Sequence, residues 1–145
     1  MDSFLSKLAK PFTGKAHWLL RLGLGIDFFL HGYGKLPISE GFIKWLGSQG
    51  VYSPEIISYA VAWGEILAGL GIILGGLLPA ISITLGSLVT RLSGGAIGVI
   101  MIGALFTAHS NWNIFFGERG AVLFASEQLF LLILGIYFAI KGNQN

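Results

Sequence analysis

The stretch Asp27-Phe28-Phe29-Leu30-His31-Gly32-Tyr33-Gly34-Lys35 decides how this chain is read. Asp27, His31 and Lys35 follow one another at i, i+4 and i+8, so on a helix they share one face. The run before them, Trp18-Leu-Leu-Arg-Leu-Gly-Leu-Gly-Ile26, is apolar enough for a lipid bilayer apart from Arg21. Ionisable groups in such a segment are costly to keep in lipid and face a bundle interior or a cavity. The stretch therefore predicts a membrane helix with a polar inner face, and the rest of the chain has to supply partners for that face.

Composition agrees. Of 145 residues, 54% are hydrophobic and 11% charged, and the mean hydropathy is +0.76. A soluble domain carries about 25% charged residues. At about 20 residues per crossing, the length holds four spans with short connections and no separate soluble domain. The expectation is an all-α integral membrane protein, a four-transmembrane-helix bundle forming one domain over residues 1–145. The lipid bilayer is its first partner, and a net charge of +2 suggests no nucleic-acid binding. There is no cysteine. That excludes disulfides, thiolate metal ligands, Cys-held iron–sulfur clusters and dithiol exchange with quinones.

Outward from the first stretch, residues 1–16 read as a basic interfacial stub, with Lys7, Lys10 and Lys15 among Phe4, Leu5, Leu8 and Phe12. No small-residue cleavage site follows, so the first apolar run is expected to be retained. Span 1 covers 17–33, with Arg21 snorkelling to the nearer surface. A re-entry segment follows over 36–54, in which Ser39 caps a short helix with Phe42, Ile43 and Leu46 on one side. Ser53-Pro54-Glu55 reads as a capping serine, a first-position proline and a first-turn acid, opening span 2 over 55–78. Ala60, Gly64, Ala68, Gly71 and Gly75 give that span small faces for close packing. Pro79 kinks or ends it. Residues 80–91 either extend span 2 or begin span 3, which covers 92–109. Span 4 covers 121–140, with Ser126, Glu127 and Gln128 inside it.

With the N-terminus inside, the cytoplasmic side holds Lys7, Lys10, Lys15, Arg21, Arg91 and Lys141, against Lys35, Lys44 and Arg119 outside. Six against three favours N-in and C-in. This topology brings Asp27, His31, Glu65, His109 and Glu127 to similar depth in the outer half of the membrane, with Glu65 about 15 Å below the surface. Trp63, Trp112, Tyr33 and Tyr59 are expected around them. Three readings of this cluster stay open. A histidine and carboxylates can exchange protons with a quinone held by aromatic and aliphatic walls. His31 and His109 can be axial haem ligands, or can join Glu65 and Glu127 on a first-row metal. Or the charges simply neutralise one another and fix the packing.

Arg21-Leu-Gly-Leu-Gly, His31-Gly32-x-x-Lys35-Leu36, Glu65-x-x-x-Gly69, Thr90-Arg91-Leu92, His109-x-x-x-Asn113-x-Phe115-Phe116 and Glu127 in span 4 together resemble the DoxX family of small four-helix membrane proteins. The resemblance covers 17–141. It departs from the family between spans 2 and 3, where Pro79 and about a dozen further residues precede the Thr-Arg pair. It implies a membrane bundle, and for one branch the small subunit of a thiosulfate:quinone oxidoreductase in a bacterial inner (plasma) membrane. The expected catalytic residues are Glu65, Glu127 and His31. Asp27, Lys35, Trp63, His109 and Arg21 are expected to bind substrate or cofactor, Arg21 on the resemblance alone. The expected cofactor is quinone, with no dedicated metal site assigned. Another membrane or periplasmic subunit is the expected partner. The competing expectation is a non-catalytic accessory subunit packed against a larger membrane complex.

Overall fold

The computed structural model describes residues 4–108, 112–118 and 122–143. Six α-helices run through them: α1 (Phe4–Ala9), α2 (Ala16–Tyr33), α3 (Glu40–Ser48), α4 (Pro54–Leu77), α5 (Ile83–Ala108) and α6 (Glu127–Lys141). Two of them are long and apolar enough to cross a membrane, one from Pro54 on into the turn at Ala80 and one over Ile83–Ala108.

The four long helices pack in chain order, α2 on α4, α4 on α5 and α5 on α6, while α2 and α6 barely touch. The result is a curled row with one open side. Leu24, Phe28, Ala68, Ile72, Ile97, Met101, Leu131 and Phe138 form its buried core. Close approach depends on missing side chains. A Cβ at Gly69 of α4 would stand 2.5 Å from the Gly25 carbonyl oxygen and 2.6 Å from the Phe29 nitrogen of α2. One at Gly94 of α5 would stand 2.6 Å from the Gly135 carbonyl oxygen of α6. Most other large apolar side chains point outward, among them Leu19, Ile56, Leu67, Ile83, Phe106 and Phe130. That surface suits lipid, which offers no penalty for exposed hydrocarbon.

Local signals set the helix ends. The Ser39 hydroxyl accepts from the Phe42 amide at 3.2 Å and caps α3. Pro54 is the first residue of α4 and Glu55 lies in its first turn. Ser53 does not cap through its side chain, however: it adopts a left-handed backbone with φ 51° and makes no side-chain cap bond. The ambiguity at 80–91 resolves toward α5. A short 3₁₀ turn, Leu78–Ala80, carries Pro79, and Ser82 caps the next helix by accepting from the Leu85 amide at 3.3 Å. Thr90 and Arg91 thus sit inside α5, and Arg91 donates to the Ala139 carbonyl of α6 at 3.3 Å.

The fourth long helix begins six residues later than expected. Ser126 accepts from the Leu129 amide at 3.3 Å and so starts α6 at Glu127. A polar cap beats continued apolar periodicity here, because the first amides of a helix need acceptors. Glu127 is therefore at the very top of α6, not two turns down it.

Candidate functional site

The chain reverses between successive long helices. The end of α2 at Tyr33, the early turns of α4, the end of α5 and the start of α6 therefore share one end of the row. α2 brings Asp27, His31 and Lys35 there in one column, as their four-residue spacing requires. Lys35 lies just past the helix end at Tyr33 and donates from Nζ to its own His31 carbonyl at 3.2 Å and across to Glu65 Oε2 at 2.6 Å. Glu65 is 3% exposed. A carboxylate that dry persists when paired and hydrogen-bonded, and Lys35 supplies both.

His31 is oriented from both sides. Its Nδ1 lies 3.0 Å from the Asp27 carbonyl oxygen, which can only accept, so Nδ1 carries the proton. Nε2 then faces Glu127 Oε2 across 3.9 Å, bridging the open side between α2 and α6. Asp27 Oδ2 is 3.6 Å from Nδ1 and is buried without a hydrogen-bond partner. One ligand atom from each of Asp27, His31 and Glu127 lies within 4.8 Å of the others. A histidine and two carboxylates form a donor set that suits a first-row divalent metal.

Beside these groups is a cavity of about 490 Å³. Its walls are mainly apolar: Phe42, Trp45 and Leu46 of α3, Val61 of α4, Met101 of α5 and Leu131 of α6. Lys35, Glu65 and His31 form its polar end, and Gln128 and Thr107 add two further polar groups. The α3 wall and Gln128 were absent from the expected site residues. The apolar side of α3, with Phe42 and Leu46 in register, was the available signal.

The site residues expected from sequence divide accordingly. Asp27, His31, Lys35, Glu65 and Glu127 come together. Trp63 is half exposed, and neither it nor Tyr33 nor Tyr59 lines the cavity. Their positions on α2 and α4 turn them away from the inner face. Trp112 lies in the segment after α5 and does not line the cavity either. His109 lies outside the described residues, so the two-histidine reading rests on His31 alone here. Arg21 is at the opposite end of α2 and 2% exposed. It does not snorkel to the surface. Its guanidinium instead reaches the Ile72 carbonyl on α4 and Thr90 Oγ1 on α5, the latter at 3.0 Å.

Comparison with known proteins agrees with this architecture. Residues 16–110 match the DoxX family. The chain is 30% identical over 126 residues, 87% of its own length and 78% of the relative's, to a Bacillus subtilis (strain 168) protein described as "Putative oxidoreductase CatD". No solved structure matches it. With its apolar outer faces, its ionisable inner column and a match over well more than half its length, the chain is a membrane protein that belongs to the DoxX family.

Proposed function

We propose that the chain is the membrane subunit of a quinone-linked oxidoreductase, of the thiosulfate:quinone oxidoreductase kind, and that the cavity at the Lys35 end takes the quinone. In this reading all four long helices cross a bacterial inner membrane, with both chain ends on the cytoplasmic side. The single observation that carries the proposal is the shape and chemistry of the cavity: apolar walls with a few convergent polar groups at one end. Ligand sites are commonly built this way. A quinone offers a flat apolar ring and tail to such walls and a carbonyl oxygen to the polar end.

A quinone takes up two electrons and two protons on reduction. Lys35 Nζ is the donor available to its carbonyl oxygen, and Glu65 holds that ammonium in place. His31 lies between the cavity and Glu127, whose side chain is 55% exposed. The pair gives protons a path from outside water to the cavity without crossing lipid. The chain has no cysteine, so the electrons come from the donor substrate, from a bound cofactor or from a partner subunit. The description of the B. subtilis relative as a putative oxidoreductase supports the same class.

The test is binding of decylubiquinone to the purified full-length protein in phosphatidylcholine nanodiscs, read by quenching of tryptophan fluorescence. Trp45 lines the cavity and reports occupancy. Saturable quenching is expected, lost in Trp45→Phe and weakened about tenfold in Glu65→Gln and in His31→Ala, the cost of one or two lost polar contacts. The alternative, an accessory subunit, is favoured by one observation, the closure of Lys35 on Glu65. It predicts no saturable quenching, and that result removes the quinone reading.

A further inference from the structure

The opposite end of the row carries a second polar site that owes nothing to the first. Arg21 is buried between α2, α4 and α5. Nη1 donates to the Ile72 carbonyl and to Thr90 Oγ1, and Nη2 donates to Asn143 Oδ1 at 2.7 Å. Asn143 is fixed in turn, donating to the Gly75 carbonyl at 2.6 Å. The guanidinium lies 4.8 Å from the Phe138 ring centre and 5.8 Å from that of Trp18. All these partners are neutral. Nε is buried with no hydrogen-bond partner, and Nη2 has a second hydrogen to give.

A full charge in a dry site is costly unless an opposite charge meets it. Among the described residues no carboxylate does. Asp27, the nearest acid along α2, is six residues away, about 9 Å up the axis. Glu40, Glu55, Glu65, Glu118 and Glu127 belong to the other end or to the connections there. Beside Arg21 lies a hollow of about 660 Å³, lined also by Thr13, His17, Tyr137 and Lys141 and by no acidic side chain. Lys7, Lys10 and Lys15 precede it in the chain.

We infer that this hollow is an anion site, in which Arg21, with Lys141 and His17 at the rim, holds a phosphate-type oxyanion. The hydrogen left on Nη2 gives a phosphate oxygen something to accept, and the guanidinium charge, which no carboxylate among the described residues meets, gives it a partner. The anion has two chemical sources, a phospholipid headgroup or free phosphate from water. Basic pockets between helix ends take headgroups when they lie at the inner leaflet, where the count of basic residues puts this end.

The experiment uses the full-length protein in nanodiscs. One arm measures, by native mass spectrometry, retention of phosphatidylglycerol against phosphatidylcholine. The other titrates inorganic phosphate into phosphatidylcholine nanodiscs and follows the thermal midpoint. Selective retention of phosphatidylglycerol alone identifies a headgroup. A saturable phosphate-dependent rise, with or without lipid selectivity, identifies a site open to free oxyanion. Lys141→Gln, a rim change that leaves the Arg21 bonds in place, is expected to weaken binding about fivefold, matching about 1 kcal/mol per basic residue. Arg21→Gln is expected to abolish it. Should Arg21→Gln fail to fold, Lys141→Gln and His17→Gln decide. Binding unchanged in both rim variants, or no anion-selective binding in either arm, overturns the inference. Quinone binding at the other end is measured separately, so failure here leaves that reading untouched.

Discussion

Lys35 and Glu65, thirty positions apart in sequence, meet at 2.6 Å and close the polar end of the cavity with the one ion pair that joins the turn after α2 to α4 among the described residues. Glu65 is buried, whereas the Lys35 side chain keeps a quarter of its surface exposed. Breaking such a pair leaves an uncompensated charge, while replacing both partners with apolar groups removes the problem altogether. Lys35→Met is therefore expected to destabilise the protein by about 3 kcal/mol, the lower end of the range for buried pairs because lysine is partly solvated. Lys35→Met with Glu65→Leu is expected to recover most of that loss. Thermal unfolding of the two variants in detergent checks it; a double variant no more stable than the single would mean that the pair does not hold Glu65 in place.

Filling the cavity tests its use without touching a charge. Gly103 of α5 lines it, and nothing stands within 4 Å of where a Cβ would be. Gly103→Phe is expected to place a ring in the cavity at no backbone cost. Decylubiquinone quenching should fall by at least about tenfold while the unfolding midpoint stays within the change typical of a surface substitution, about 0.5 kcal/mol. Normal quinone binding in this variant would put the ligand elsewhere.

Much of this arrangement was legible in the sequence, for identifiable reasons. The i, i+4, i+8 spacing of Asp27, His31 and Lys35 fixes a face whatever the packing, and ionisable groups lined up on one face among apolar neighbours have to find partners. Glu65 followed from chain direction, and Glu127 reached the same end although it stands at the start of α6 and not inside the span as expected. Arg21 could not be placed from its own helix. Whether an arginine near a helix end snorkels or turns inward depends on acceptors on other helices, here Thr90 and the Ile72 carbonyl, and on the gap left by Gly76, where a Cβ would meet Arg21 Cδ at 2.6 Å. The start of α6 was misjudged because the apolar run continues through Val122 and Phe124, while the cap at Ser126 outweighs it. The open side between α2 and α6 left no trace in any single helix. It is a property of which faces pair.

The contact of α2 with α4 rests on Gly25 and Gly69. Gly69→Ala would put a methyl against two backbone atoms of α2, which cannot swing aside as a side chain can. The helices must separate, and overpacking of this kind costs about 1–3 kcal/mol. Because Lys35 and Glu65 sit across the same pair of helices, decylubiquinone affinity should fall together with stability. Gly95→Ala, where a Cβ meets nothing within 4 Å, is the matched control and should leave both unchanged. Equal effects of the two substitutions would mean that close approach at Gly69 is not what holds α2 on α4.

Ser126 sets where α6 begins and so where Glu127 stands. Its hydroxyl accepts from the Leu129 amide at 3.3 Å and donates to the Leu123 carbonyl at 2.7 Å, tying the preceding turn to the helix start. Ser126→Ala removes both bonds, and loss of an N-cap costs about 1 kcal/mol. The first turn of α6 should fray, and with it the 3.9 Å approach of Glu127 to His31 across the open side. Hydrogen exchange is expected to quicken at the amides of Gln128 and Leu129, with exchange in α4 unchanged. Ser126→Asp, which restores an acceptor, should return the slow rates, because aspartate caps as well as serine does. Fast exchange in both variants would show that the apolar contacts of Leu131, not the cap, hold this end of α6.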